Sequence, residues 1–513
     1  MNKYYKDKYQ VIFIGASLAN MSCALELKSQ GIDDILILEQ HNLPGGLASS
    51  FVRSQVEFEL SLHEMMSIGK DNMLTIGQFL KINNINLKWI RVPEAFHLVS
   101  KNIDFTLHPS DDGSFILPSK EIAEFDKENK DCYKQVLSFF KACHNVYLGL
   151  KEISNNKVKI LFKYPELIKF SGLSAKEVMD FYHLDKITQD IISAYFIYLG
   201  NIPSKLPAIV FADMIAEYIG YGSYVPEKYS YSLSSSLYEA CLKKGIQIEL
   251  AQKVENVLVN DNYAYGVRLN NGIEIECDYL VSGVYPNKLY KDMIQVNEEI
   301  IKKMNKFVNS KNLGLTCFSL IMLLNKTPEE LNIQNYCTFF LKEGLDYDNL
   351  WNDFSSLDKS PFLISTCLNK VNDKYIPKGK TIYSITYLPK VDYFKDVDEF
   401  SYEKVKHNIA RRFIETEEKR LNVNLSNCIE EIEIVSPLSI SHFTGDSNGS
   451  IYGYMHSLDD NVIARFMMSK EDQFIKNLYF AGASSMYGDG MAPAMTSGIY
   501  VAKEISKINK GKL

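Results

Sequence analysis

The chain has 513 residues, 46% of them hydrophobic and 23% charged, with a net charge of −7. That length exceeds one ordinary core and allows two or three domains. The balance is that of a globular protein in water, and the lack of a dense Lys/Arg run beside aromatics argues against nucleic acid as a partner. The nine cysteines are scattered, odd in number and without a C-x-x-C pair. Buried thiols in a reducing compartment are expected, not a disulfide framework, and no metal site. "MNKYYKDKYQVIFIG" is polar up to Gln10 and lacks the long apolar region and small-residue cleavage site of a secretory signal. The longest apolar runs, such as "LGLTCFSLIMLL", are too short to span a bilayer as a helix. The expected localisation is cytoplasmic, with peripheral membrane contact left open.

In chain order, Val11 to Ile14 reads as a buried parallel strand ending at Gly15. Leu18 to Gln30 reads as a helix stopped by Gly31, and Ile35 to Leu38 as a second buried strand ended by Glu39. The chain therefore opens with a βαβ unit. Residues 105–215 read as largely helical and rich in aromatics. From Gly245 to Val281 short strands with turns at 260–262 and 270–272 predict an antiparallel meander. Residues 300–440 mix strands ("TCFSLIMLLN", "TIYSITYL") with an amphipathic helix carrying Val405, Ile409 and Phe413. "NLYFAGA" at Asn477 to Ala483 is a further buried strand, followed by a helix from about Ala492. With no repeat and no low-complexity linker, two interleaved domains are expected. The first takes 1–104, 216–299 and 441–513; the second takes 105–215 and 300–440.

The turn between the first strand and helix reads "GASLAN", Gly15 to Asn20. A dinucleotide-binding turn would read G-x-G-x-x-G, with the glycines for the tight turn, the approach to phosphate and close helix–strand packing. Gly15 meets the first need. Ser17 is small enough for the phosphate position, where its hydroxyl can donate a hydrogen bond. Asn20 adds bulk where helix and strand should touch. Glu39, at the end of the second strand, lies where a carboxylate accepts from ribose hydroxyls; the bland reading is a solvated charge at a strand end. Nucleotide site and emptied fold both stay open on these residues alone.

"LEQHNLPGGLASSF" resembles the FAD-binding segment of the phytoene desaturase-like flavoproteins. That group holds the carotenoid desaturases, carotenoid isomerases and retinol saturases, within the amine oxidase superfamily. "FELSLHEM" resembles their segment passing the flavin ring, and "NLYFAGASSMYGDGMAPAMTSGIYVAKEI" their C-terminal flavin motif. "YGSYVPEKYSYSLSSSLYEA" and "YLVSGVYPNKLY" fall in family order, so the resemblance covers the whole chain. It implies an α/β fold: a Rossmann-like FAD-binding domain of the glutathione reductase type with an interleaved α+β substrate domain.

The same resemblance implies noncovalent FAD, with Gly15, Ser17, Leu18 and Ala19 at the pyrophosphate, and Glu39 with its neighbour Gln40 at the adenosine ribose. Gly45, Gly46 and Leu47 would line the phosphates and flavin edge, and Val254 the adenine. Gly482, Ala483 and Asp489 would lie beside the ribityl chain, and Gly490, Met491 and Ala492 at the helix start facing the flavin N1–C2=O edge. Departures from the family pattern are Ser17, Asn20, the missing basic residue after "PGG", and Lys228 to Tyr231 where relatives carry paired glycines.

His63 and Glu64 are the ionisable pair in the segment expected at the ring, hence the candidate catalytic residues; the bland alternative has His63 packing and Glu64 paired with a base. Only one βαβ fingerprint is present, so no nicotinamide cofactor is expected, and the electron acceptor or donor stays open. The function implied by the resemblance is an FAD-dependent oxidoreductase acting on carbon–carbon bonds of an apolar, polyene-like substrate by hydride exchange with flavin N5, whether desaturation, saturation or isomerisation. Aromatics in "SAYFIYLGNIPSKLPAIVF" are candidate pocket lining. The alternatives are a flavin amine oxidase, with Tyr487 as one candidate ring beside the flavin, and a flavin-free relative serving as a scaffold.

Overall fold

The computed structural model describes residues 5–53, 55–60, 64–110, 132–152, 162–341, 345–445, 448–461, 465, 474–485, 488 and 490–511. Strands β1 (Lys8–Ile14) and β2 (Ile35–Leu38) flank helix α1 (Leu18–Ser29), which stops before Gly31 as expected. β3 (Ser50–Arg53) and β4 (Val56–Glu59) form a hairpin. β5 (Trp89–Arg91), β6 (Phe96–Val99) and β7 (Asp104–Leu107) follow. The helical region includes α2 (Cys132–Glu152) and α3 (Ala208–Ile215). A π-helical stretch, Ala216–Tyr221, then leads into β8 (Tyr224–Pro226), which pairs with β5.

Beyond it come α4 (Tyr229–Lys243), β9 (Gln247–Glu249), β10 (Val254–Asn260), β11 (Tyr263–Leu269) and β12 (Glu274–Ser282). The second half adds β13 (Phe318–Leu324), β14 (Cys337–Leu341), β15 (Phe362–Cys367), β16 (Thr381–Tyr387), α5 (Tyr402–Leu421) and β17 (Ile429–Val435). β18 (Leu478–Phe480) and α6 (Met491–Gly511) come last.

Two seven-stranded sheets organise these elements. The first runs β10-β11-β12-β1-β2-β9, with β18 also on β12. The second runs β17-β13-β16-β15-β14-β6-β7. Both draw on distant parts of the chain, so the two halves of the fold are interleaved. Phe96–Val99 already belongs to the second sheet, ahead of the crossing expected after residue 104.

The meander is also smaller than its sequence suggests. β9 lies parallel to β2, and "GIEIEC" and "YLVS" form one long strand, β12. That strand is antiparallel to β11 yet parallel to β1. One strand can do both because each edge meets a different neighbour.

β1 shows why its residues form a central strand. Val11 and Phe13 pack with Met21 and Leu25 of α1 and with Met495 and Ile505 of α6. Ile12 and Ile14 pack on the opposite face with Leu36, Leu38 and Val267. A strand buried on both faces tolerates no polar alternation, and full burial of each such side chain contributes about 1.5–3 kcal/mol.

α1 and α6 touch backbone to backbone: a Cβ on Gly498 would overlap the carbonyl oxygen of Ala19. All nine cysteines are buried and free. Among the described residues no helix is long and apolar enough to cross a membrane. Gly498→Ala should therefore cost about 1–3 kcal/mol by overpacking. Thermal unfolding checks this, with Gly172→Ala, where a Cβ meets open space, as the unaffected control.

Candidate functional site

β1, β2, β12 and β18 run parallel and end in register: Ile14 lies beside Leu38 and Ser282, and Ser282 beside Phe480. The residues that follow each strand, Gly15, Glu39, Gly283 and Ala481, therefore share one edge. The carboxyl edge of a parallel sheet is where such folds bind ligands.

At that edge Gly15 turns the chain with φ +95°. Ser17 caps α1, its Oγ accepting from the N–H of Asn20 at 3.2 Å. The first intrahelical bond runs from Met21 N–H to Ser17 O, so the N–H groups of Leu18 and Ala19 precede the helix ladder. Such N–H groups, with the helix dipole behind them, suit an anion.

Asn20 corrects the expectation of harmful bulk. Its side chain is fully buried and its Nδ2 donates to Ile14 O at 2.9 Å and Gly15 O at 2.8 Å. The room comes from Gly283, where a Cβ would lie 3.0 Å from that nitrogen. Asn20 thus ties the turn down, while its Oδ1 remains without a donor.

Glu39 is buried, and its two carboxylate oxygens each accept a main-chain N–H, Oε2 from Ala16 at 2.7 Å and Oε1 from His41 at 2.9 Å. Each oxygen keeps a second lone pair for a hydroxyl donor. The Glu39 carbonyl accepts from Gln252, which brings Val254 at the start of β10 to the same corner. Gln40 is exposed, its amide 3.3 Å from the His41 ring.

Gly45 donates to Ala16 O at 2.8 Å, so the "PGG" loop lies on the turn. A Cβ on Gly45 would overlap Ser234 of α4, whereas Gly46 and Gly482 face open space. Leu47 is half-buried beside them. Gly482 N–H donates to Ser497 Oγ of α6 at 2.8 Å, and Ala483 abuts Gly453. Gly490 precedes Met491 and Ala492 at the head of α6. The structure thus gathers the predicted residues from 15–19, 39, 45–47, 254, 482–483 and 490–492 around one strand edge, with Gln40 at its outer side. Open space at two glycines and helix-start N–H groups make a cradle whose donor set fits a dinucleotide. His63, Tyr487 and Asp489 lie outside the described residues.

The stretch expected to differ as a loop, Lys228 to Tyr231, instead starts α4. Tyr229 takes φ +62°, a conformation costing a non-glycine residue about 1–2 kcal/mol. Glu59 at the end of β4 holds it there. Its carboxylate accepts from Ser230 N–H at 2.6 Å and from Ser230 Oγ. A carboxylate at a helix N-terminus offsets the strain.

Glu64 is 6% exposed, and Ser223 Oγ donates to its Oε2. Burial pushes its carboxyl up to about 8, against the pull of the Ser223 and Tyr198 hydroxyls, and nearby Glu94 adds to the rise. No base pairs with it among the described residues, contrary to the bland expectation. At neutral pH the Glu64 carboxyl is therefore mostly protonated. Around it the aromatic run supplies Tyr195, Tyr198 and Tyr218, with ring centroids 5.4–5.9 Å apart, and Tyr198 lies 5.5 Å from Phe339. Sequence reasoning missed Glu59, Ser223, Ser234 and Gly283. It also missed the segment from Gly449 to Asp460, whose glycine-rich "GSIYGYMH" was the available signal.

Two outcomes follow from this geometry. Asn20→Gly should lower the thermal midpoint, because loss of two bonds and a helical glycine outweighs relief of the orphan oxygen, a net cost of about 1 kcal/mol or more. Glu64 has a folded-state pKa raised from 4.5 to about 8. Its contribution to stability is therefore fully present below pH 4.5 and lost as pH rises through 8. Glu64→Gln should flatten that decline in a series of melting curves from acid to mildly alkaline pH.

Comparison with known proteins agrees with this architecture. The family model for flavin containing amine oxidoreductases matches residues 19–506. The chain is 22% identical to a 4,4'-diaponeurosporene oxygenase of Staphylococcus haemolyticus, covering 97% of each protein. It is also 22% identical to the protein of that name in Staphylococcus aureus, over 97% of this chain and 98% of the relative. Among solved structures, an oxidoreductase from Methanosarcina mazei superposes with a TM-score of 0.62 at 11% identity, over 96% of this chain and 100% of that one. Putrescine oxidase bound to putrescine superposes at 0.61 and 12% identity, over 97% and 99%; both likenesses concern the fold. The chain belongs to the flavin containing amine oxidoreductase family, enzymes whose cofactor is FAD.

Proposed function

We propose that this protein desaturates, saturates or isomerises carbon–carbon bonds of an apolar, polyene-like substrate with noncovalently bound FAD. The observation that carries the reading is similarity along nearly the whole chain to the 4,4'-diaponeurosporene oxygenases. The aromatic surroundings of Glu64 support it, since Tyr195, Tyr198, Tyr218 and Phe339 give that carboxyl the apolar setting a polyene-handling site calls for.

In this reading the Leu18 and Ala19 N–H groups and the α1 dipole hold the pyrophosphate, with Ser17 Oγ free to donate its proton there. Glu39 takes the ribose hydroxyls through its remaining lone pairs, and Val254 borders the adenine. Gly45, Gly46 and Leu47 line the phosphates, while Gly482, Ala483 and Asp489 flank the ribityl chain. The head of α6, at Gly490 to Ala492, faces the flavin with its N–H groups and favours negative charge there. FAD, when bound, supplies the hydride acceptor, and the hard chemistry is the cofactor's. Glu64 donates a hydrogen bond or a proton from its neutral carboxyl, and His63 beside it in sequence is the partner for proton exchange. The tyrosine cluster excludes water from Glu64.

Purified protein should be yellow and release FAD on denaturation, and Ser17→Glu should abolish binding by setting a carboxylate against the pyrophosphate. With 4,4'-diaponeurosporene the loaded protein should change the polyene spectrum, and mass spectrometry should find loss or gain of two hydrogens, or an isomer of equal mass. Gain of oxygen would move the reaction to carbon–hydrogen oxygenation. Rapid flavin reduction by putrescine with an unaltered polyene would overturn the proposal. Glu64→Gln should slow turnover by about 10²–10⁴-fold if the carboxyl moves a proton.

A further inference from the structure

Behind the turn that follows β18 lies a buried ionic group that the fold alone does not require. Arg465 is 8% exposed. Its Nε and Nη2 bond both oxygens of Asp460 at 3.1 Å. Lys311 Nζ reaches the same carboxylate at 2.7 Å, its side chain only 8% exposed and its charge 5.3 Å from the Phe307 ring. Asp460 is the one carboxylate paired with either cation among the described residues. Two cations on one anion leave a net positive charge in the interior. A purely structural tie would be cheaper as a neutral pair, because each buried charge costs desolvation.

The remaining donors of Arg465 point at main chain. Nη2 meets Tyr454 O at 3.0 Å and Met455 O at 3.2 Å, and Nη1 meets Ser485 O at 3.3 Å. Ser485 closes the turn that begins at Gly482: its Oγ donates to Gly482 O at 2.6 Å and its N–H at 3.1 Å. The segment on the other side of the fork touches the same loop twice more. A Cβ on Gly453 would meet Ala483 O at 2.5 Å, and the His456 ring fills the space beside Gly488. Asn201 secures this segment by donating to His456 O at 2.9 Å.

We propose that Arg465 is a positioning residue for the Gly482–Ser485 turn, and that the Lys311–Asp460–Arg465 triad, through its excess positive charge, favours the reduced and more negative form of the flavin. This rests on the reading that FAD lies against that loop. The fork fixes geometry, since a planar guanidinium holds three carbonyls and a carboxylate in one plane-defined arrangement that an ammonium cannot reproduce. The unpaired charge acts at longer range through a poorly screened interior.

Titration of apo-protein with FAD and measurement of the bound flavin's midpoint potential separate the two roles. Lys311→Met removes the excess charge and leaves the fork. It should bind oxidised FAD as the wild type does, but lose about tenfold in preference for reduced FAD, the effect of one charge over a distance on the order of 10 Å. For a two-electron couple that is a fall of about 30 mV. Arg465→Lys keeps the charge and loses the fork, so the potential should hold while FAD affinity drops by about tenfold or more. If Lys311→Met fails to fold, Lys311→Gln tests the same charge with a donor left for Asp460. An unchanged potential in the Lys311 variant overturns the charge role, and unchanged affinity in Arg465→Lys overturns the positioning role. Wild-type protein that takes up no FAD overturns both this inference and the flavin reading. FAD retained in Ser17→Glu removes only the phosphate-turn assignment, and the potentials still decide the triad.

Discussion

The site depends on four parallel strands that stop at the same level. Ile14, Leu38, Ser282 and Phe480 stand side by side, and everything of chemical interest hangs from the residues just beyond them. A one-residue slip of β1 against β2 or β12 would turn Val11 and Phe13 to the wrong core and carry Gly15 away from Glu39. Burial on both faces of β1 makes that slip costly. The hydrophobic layers thus set the register, and the register sets the distance between the helix cap and the carboxylate.

The same logic explains which substitutions this turn tolerates. The loss of two glycines from "GASLAN" does not open the fold, because each replacement has a partner. Ser17 caps the helix it begins, and Asn20 donates to the carbonyls of Ile14 and Gly15 in the turn before that helix. The space given up at Asn20 is recovered at Gly283, just past a strand far away in sequence. Close packing is conserved as a quantity while its location moves, which is the usual behaviour of a dense core. The start of α4 repeats this pattern: a left-handed Tyr229 is accommodated because Glu59 answers the helix N-terminus.

Much of this fold was legible in the sequence. The apolar runs at Val11 to Ile14 and Ile35 to Leu38, the stop at Gly31 and the paired glycines at 45 and 46 are local signals, and local signals survive folding. The role of Asn20 was misread because it is decided by Gly283. β12 was read as two strands because its polar and apolar halves face different neighbours. β9 was assigned to the meander because nothing in "GIQIEL" says that its partner is β2. The ionic group at Arg465 was invisible for the same reason, since Lys311 joins Asp460 from 149 residues away. For the candidate site, the residues around the strand edge could be named in advance, whereas the chemistry of Glu64 could not. Its neutrality is a property of its surroundings.

The contact between Gly498 and Ala19 has a consequence for how the molecule comes into being. The turn that would receive the cofactor leaves the ribosome well before the helix it packs on, which lies more than 400 residues further along the chain. β1 cannot sit between its neighbours until β12 exists, and β18 completes the edge later still. Such pairing of sequence-distant segments is slow, since loop closure must precede the contacts that reward it. The nascent chain therefore carries an unfinished sheet until β18 is made, with apolar strand edges bare and exposed to aggregation. Cofactor capture is then a late event, and the level of free FAD in the cell becomes a determinant of how many chains mature, because ligand that binds only the finished edge draws the folding equilibrium forward by mass action.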